Sequence, residues 1–155
     1  TALTNGNTYV LTTNGVMDVA LNTMAASNDT FLYIIPGVPT YKDVLITEIF
    51  ADPSPQIGLP NAEYIEVYNN SLDFFDLQGW EFTDGTSIGT MPSYILSPGE
   101  YLVLCADANL PLFPGGINIL GLSTFPSLNN SGDNLVLSDG SATIDEVNYA
   151  RMRRD

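Results

Sequence analysis

The sequence predicts an all-β fold, either a sandwich or a barrel, from three observations. Short runs rich in Val, Ile, Leu, Tyr and Phe recur along the 155 residues, bounded by Gly, Pro, Asn and Asp. Several of these runs alternate along the chain with the period of two that marks a half-buried strand. Nowhere do apolar residues keep a helical spacing for three turns without a Gly or Pro. Many short strands separated by turn signals are typical of sandwiches and barrels.

The runs predict eight strands and two tight hairpins. The predicted strands cover residues 8–12, 30–35, 44–50, 63–69, 80–83, 101–105, 134–138 and 144–149. In the fourth, Ile65 and Val67 share one face with Glu63, and Tyr64, Glu66 and Tyr68 share the other; either face could be the inner one. The Asp-Gly pairs at positions 84–85 and 139–140 supply the positive φ angles that tight hairpins require.

A domain boundary is predicted near Pro36-Gly-Val-Pro-Thr40. Two prolines around a glycine end the preceding strand and form a short, fairly stiff connector. The segment before it offers two clear strands, too few for a sandwich core of about seven strands. We therefore divide the chain into a segment of residues 1–40 and a domain of residues 41–155.

The charge is strongly negative, with 18 acids against four bases. Arg151, Arg153 and Arg154 lie in the last five residues, so residues 1–150 hold Lys42 alone against 17 acids, a net charge of −16. Such a body repels the phosphate backbone of nucleic acids and anionic membrane surfaces. No apolar stretch approaches the roughly 20 residues of a membrane span. We expect no nucleic-acid partner and no membrane insertion.

The residues needed for most enzyme chemistry are missing. The chain has no histidine, which excludes Ser-His-Asp and Cys-His catalysis and histidine zinc sites. Cys105 is the only cysteine; it lies in an apolar run, so we predict a buried thiol and no internal disulfide. No phosphate-binding loop or dinucleotide fingerprint occurs. We expect no enzymatic activity and no cofactor.

Two kinds of acidic site stay open. Glu48, Glu63 and Glu66 fall on neighbouring predicted strands and could pair as in glycoside hydrolysis, although outward-facing strand positions or hydrogen bonds to loop backbone are the favoured explanation. Calcium favours carboxylate oxygens, and the weak candidates for such a site are Asp52 with Glu63 and Glu66. A second combination is Asp133 with Asp139.

Six blocks of the chain, taken in order, resemble the lamin tail domain family. They are Val44-Leu-Ile-Thr-Glu-Ile-Phe-Ala-Asp-Pro-Ser-Pro55, Leu59-Pro-Asn-Ala-Glu-Tyr-Ile-Glu-Val-Tyr-Asn-Asn-Ser71, Asp76-Leu-Gln-Gly-Trp-Glu-Phe-Thr-Asp84, Leu96-Ser-Pro-Gly-Glu-Tyr-Leu-Val-Leu104, Leu128-Asn-Asn-Ser-Gly-Asp-Asn-Leu-Val-Leu-Ser-Asp139 and Ile144-Asp-Glu-Val-Asn-Tyr149. The resemblance implies an immunoglobulin-like β-sandwich with Greek-key connections, of the bacterial type found in exported proteins. Trp80, the only tryptophan, is then expected to anchor the core.

The first segment carries a second resemblance. The run from Leu3 to Ala25, followed by Thr30-Phe-Leu-Tyr33, is similar to the closing part of bacterial immunoglobulin-like repeats. Leu21 stands where those repeats usually place glycine. The resemblance implies that residues 1–40 are the C-terminal remnant of a neighbouring domain.

These observations favour a non-catalytic structural or interaction module of a larger secreted or cell-surface bacterial protein. An alternative is a carbohydrate- or protein-binding module, accessory to an attached hydrolase. Its aromatic candidates are Tyr64 and Tyr68 on one strand face and Tyr94 in a loop-like region, as are Phe113 and Phe125. Association with nucleic acid, which the lamin resemblance suggests, is disfavoured by the negative charge.

Overall fold

A computed structural model describes residues 2–150, so the basic residues Arg151, Arg153 and Arg154 lie outside the described part. The chain divides into two compact units, Thr1–Pro36 and Gly37–Asp155. Within the described residues, no helix has the length and apolar character needed to cross a membrane.

The first unit is an antiparallel hairpin of strands β1 (Asn7–Thr13) and β2 (Ser27–Tyr33). Its connecting loop is organised by Asp18, which accepts hydrogen bonds from the backbone N–H groups of Ala20 at 2.8 Å and Asn22 at 2.9 Å. Leu21 has a φ of 68°, so it adopts the left-handed conformation that glycine takes most easily. No residue from 2 to 36 is buried. That this unit is the remnant of a neighbouring domain stays a prediction.

Up to residue 150, the second unit contains ten strands in three sheets. They are β3 (Val44–Phe50), β4 (Tyr64–Asn69), β5 (Phe75–Asp76), β6 (Glu81–Thr83), β7 (Ile88–Thr90), β8 (Ile95–Leu96), β9 (Tyr101–Ala106), β10 (Ile119–Leu122), β11 (Gly132–Ser138) and β12 (Thr143–Ala150). One sheet has the order β10-β9-β4-β3, a second has β12-β11-β6-β7, and β5 pairs with β8. The predicted immunoglobulin-like β-sandwich is confirmed. Strands distant in sequence, such as β4 with β9 and β6 with β11, are paired, as Greek-key connections require.

The core lies between the two four-stranded sheets. In β4 the inner positions are Ile65 and Val67, and in β9 they are Leu102 and Leu104; all four are at most 1% exposed. They belong to one cluster with residues of the opposite sheet, namely Phe82, Leu135, Leu137 and Ile144. Alternation therefore assigns one face of each strand to the core, which leaves the other face of the β10-β9-β4-β3 sheet free to build a surface.

All eight predicted strands are present, and both Asp-Gly hairpins are confirmed between β6 and β7 and between β11 and β12. The sequence missed β5, β7, β8 and β10, which contain only two to four residues and cannot display a period of two. It also missed a short 3₁₀ helix at Asp107–Leu112. Trp80 is 4% exposed and anchors the core as predicted, but it precedes β6 instead of lying within it.

Strands β12 and β3 are joined by a buried carboxylate. Asp145, which is 1% exposed, forms an ion pair with Lys42 and accepts a hydrogen bond from the N–H of Ile46 at 2.7 Å. Lys42 has a φ of 71° and its N–H donates to the carbonyl of Ile144 at 2.7 Å. The one basic residue among residues 2–150 is therefore engaged in holding the sandwich together.

Candidate functional site: a groove on the outer face of the sheet

Strand register sets three side chains in a row across the outer face of the β10-β9-β4-β3 sheet. Glu48 of β3 lies opposite Glu66 of β4, and Glu66 lies opposite Val103 of β9. Because Ile65 and Val67 fill the core, the residues that alternate with them face outward. This resolves which face of β4 is the inner one, and it puts two carboxylates side by side on the surface.

A β-bulge in β3 shapes the acidic end of this row. The register between β3 and β4 shifts between Ile46 and Glu48, so Thr47 is the extra residue of the bulge. The Thr47 hydroxyl donates to Oε1 of Glu66 at 2.8 Å. The bulge thus supplies the one hydrogen bond that the Glu66 carboxylate receives from the described residues.

Tyr64 forms the floor next to the acidic pair. Its ring stacks on Phe50, with centroids 5.0 Å apart, and meets Phe113 edge to face at 5.7 Å. Its hydroxyl donates to Oε1 of Glu48 at 2.7 Å. Burial, together with this bond to a carboxylate, holds the pKa of Tyr64 well above its usual range. The phenol therefore stays protonated and acts as a fixed donor to Glu48.

These residues line a half-open groove of about 250 Å³. One wall is the loop of Gly58, Leu59 and Pro60, and the other is the segment that contains Phe113, Pro114 and Ile117. The walls are apolar, so the two carboxylates are the charged groups that the groove presents. Such a combination of apolar lining and a few polar groups is typical of binding sites.

The groove continues past Glu66 into a second depression of about 410 Å³. Glu66, Val103 and Ile117 line both parts, and the second adds Glu100 and Tyr101. Tyr101 is 53% exposed, so its ring offers a contact surface on the open side of the sheet.

A family model for the Lamin Tail Domain matches residues 38–151. The chain belongs to the lamin tail domain family. The match covers the whole sheet that carries the groove and stops short of the β1-β2 hairpin. A search of the curated proteins finds no match to this chain.

The aromatic candidates occupy different positions in this lamin tail domain. Tyr64 is only 6% exposed, because the rings of Phe50 and Phe113 pack against it, so its ring offers little free surface to a ligand. Tyr68 is half-buried beside Tyr101, with ring centroids 4.5 Å apart. Tyr94 lies before β8, and its hydroxyl donates to Glu100; burial and this carboxylate raise its pKa. A ligand-binding role for these residues stays a prediction.

The acidic candidates are only partly brought together. Glu48 and Glu66 meet as predicted, but Oε2 of Glu63 accepts a hydrogen bond from the N–H of Leu128 at 3.0 Å, away from the groove. Asp52 is an exposed residue of the loop after β3 and does not line the groove. The predicted calcium set of Asp52, Glu63 and Glu66 is therefore not assembled.

The alternative calcium pair is not assembled either, since its two carboxylates serve separate turns. Asp133 accepts from the side-chain amide of Asn129 at 2.8 Å, and Asp139 accepts from the N–H of Ser141 at 2.8 Å. Among residues 2–150, no three acidic or cysteine side chains are grouped in a way that could hold a metal ion.

Sequence reasoning missed the residues that make the groove a cavity. The walls come from two loops without periodicity, at residues 58–60 and 113–117, and no local signal predicts that they approach the same sheet. Tyr101 and Val103 could have been found, because their alternation with the core residues of β9 assigns them to the outer face.

Proposed function

We propose that this lamin tail domain is a non-catalytic interaction module of a larger secreted or cell-surface bacterial protein, and that it binds a protein partner in the groove. The single observation that supports this role is a half-open, mostly apolar groove that carries two carboxylates on a rigid sheet. Exposed apolar surface framed by polar groups is typical of interaction sites in soluble proteins.

A protein ligand fits this surface better than a glycan. Sugar binding relies on flat, exposed aromatic rings, and the ring nearest the carboxylates, Tyr64, is only 6% exposed, with Phe50 stacked on it and Phe113 packed edge to face. Tyr101 is exposed but lies in the second depression. Nucleic acid is disfavoured by the net charge of −16 over residues 1–150.

The chemistry of the acidic pair disfavours catalysis. Glu48 and Glu66 are directly opposite, at a spacing of about 5 Å between Cβ atoms. A glycosidase pair needs one carboxyl that is protonated near neutral pH through burial. Glu48 is exposed on a half-open surface, so the pair lacks the burial that such an acid requires.

The test is a binding screen with the 155-residue chain on arrays of bacterial surface proteins and of glycans. Ile117→Trp fills the groove, and Ile88→Trp is the matched control, because both isoleucines are exposed, at 40% and 53%, and Ile88 lies on the opposite sheet. We expect protein ligands whose binding is lost with Ile117→Trp and kept with Ile88→Trp. Glycan ligands alone, or turnover of a glycoside substrate, would contradict the proposal.

The proposed location has its own test. Family resemblance supports export, so antibodies against this chain should label intact source cells or detect the protein in the medium. Labelling that appears only after the cells are lysed would overturn the assignment to the secreted or surface-exposed class.

A further inference from the structure

The opposed carboxylates of the groove are an unbalanced charge pair. Like charges that face each other directly across two strands destabilise a sheet. Glu48 receives one hydrogen bond, from Tyr64, and Glu66 receives its side-chain donor from Thr47. In each carboxylate the hydrogen bond reaches Oε1. Among the described residues, no donor is found for the second oxygen of either.

No cation of the described chain can compensate this pair. Lys42 is the only basic residue among residues 2–150, and its ammonium is bound to the buried Asp145. The charge that would complement the groove must therefore come from outside this part of the chain. The two carboxylates are complementary to a positively charged group of a partner.

The surroundings of the pair specify the shape of that group. Next to the carboxylates lie the apolar side chains of Val103, Ile117 and Leu59, with the ring of Phe113 at the wall. A long aliphatic stem can pack along such surface while its charged end reaches an acid. An arginine has this stem, and its planar guanidinium offers five donors to two carboxylates and stacks on aromatic rings.

We propose that the groove binds an arginine side chain of a protein partner, with Glu48 and Glu66 as its acceptors. This inference rests on the proposed function, and it names the chemistry of the partner segment. Val103 and Ile117 pack against the stem, and Tyr64 holds the Glu48 carboxylate in place through its hydroxyl. Calcium is a poorer occupant, since it takes six to eight oxygen ligands and the groove offers two carboxylates.

The test is a titration of the isotope-labelled 155-residue chain followed by amide NMR shifts. The probe is the capped tripeptide acetyl-Gly-Arg-Gly-amide, and its matched control has citrulline, a neutral isostere, in place of arginine. We expect the arginine peptide to shift the amides of Glu48, Glu66 and Val103, with an affinity that falls as salt rises from about 0.02 M to about 0.5 M. The citrulline peptide should leave these amides unmoved.

Matched variants separate local recognition from overall charge. The double variant Glu48→Gln with Glu66→Gln should weaken the arginine peptide by roughly five- to tenfold. The control is the double variant Glu81→Gln with Glu146→Gln, which removes an equal number of negative charges from the opposite sheet. It should leave the affinity for the arginine peptide unchanged. Equal losses in both double variants would overturn the assignment of the site, since they would indicate attraction to the net charge alone.

The outcomes distinguish this inference from the proposed function. Equal binding of the citrulline peptide, or tighter binding of a lysine peptide, overturns arginine recognition while the groove still binds protein. A second result refutes the arginine inference alone. In it, a partner from the array loses binding to the Ile117→Trp variant but binds the Glu48→Gln, Glu66→Gln double variant with the same affinity as wild type. A screen that finds no groove-dependent partner at all refutes both.

Discussion

Replacing Asp145 by asparagine should destabilise the sandwich more than any change of a surface acid. The carboxylate is 1% exposed; one oxygen accepts from Lys42 and from the N–H of Glu146 at 2.7 Å, and the other accepts from the N–H of Ile46 at 2.7 Å. An asparagine keeps the shape but turns one acceptor into a donor. Whichever way the amide is oriented, at least one of these donors faces an N–H group.

The expected loss follows from these contacts. A buried backbone N–H left without an acceptor costs about 1–3 kcal/mol. Lys42 is 43% exposed, so water screens its ion pair, which contributes at most about 1 kcal/mol. Together the two effects give a loss of about 1–4 kcal/mol in the free energy of unfolding. For a domain near 100 residues this lowers Tm by roughly 10 °C.

Urea denaturation followed by the fluorescence of Trp80 measures this loss, because the only tryptophan lies in the core of the second unit. The neighbouring change Glu146→Gln is the control, because this residue is exposed on the same strand. It should change the free energy of unfolding by no more than about 0.5 kcal/mol. An Asp145→Asn variant as stable as the Glu146→Gln variant would refute the reasoning that the carboxylate joins β3 to β12.

Three further changes test other parts of the structure. Glu66→Gln should raise the free energy of unfolding by about 0.2–1 kcal/mol in urea titrations, because Glu48 lies directly opposite, whereas Glu146→Gln should not. Burial, followed by the nearby negative charge of an aspartate, raises the pKa of the Cys105 thiol from 9.0 to about 11. Because the pKa is higher in the folded than in the unfolded state, the stability that the protonated thiol contributes is complete below pH 9 and is lost as the pH rises to about 11. In urea titrations over this range, the stability of the wild type should fall more steeply than that of Cys105→Ala. Burial of Asp84 would raise its pKa, but the hydrogen-bond donors of its hairpin turn outweigh this effect and lower the pKa. Asp84→Ala should therefore cost about 1–3 kcal/mol in the free energy of unfolding at pH 7. A difference in stability from wild type that persists below the carboxyl pKa would contradict this assignment.

The strands were predictable where they were long enough to repeat. The residues of β4 from Ile65 to Tyr68 show the period of two, whereas β5 and β8, with two residues each, are formed only because their neighbours bring them together. The hairpin turns were predictable for a different reason. Gly85 and Gly140 have φ angles of 84° and 87°, which glycine adopts without strain, so the turn chemistry is local.

The acidic pair was half predictable. Neighbouring strands bring Glu48 and Glu66 within reach of each other, and the sequence indicated this. Glu63 was grouped with them wrongly, since it lies just before β4 and turns to the backbone of Leu128. Its direction depends on a partner 65 residues away, which no local pattern contains.

The sequence by itself determined the class of fold, the turns, the charge and the missing catalytic groups, because these depend on the spacing and the chemistry of near neighbours. Only the tertiary structure decided which face of β4 is the inner one, where the loops at residues 58–60 and 113–117 lie, and that the single lysine is bound to a buried aspartate. The physical reason is that a groove is made of contacts between segments distant in sequence. Those contacts are fixed by the packing of the whole core and not by local preference.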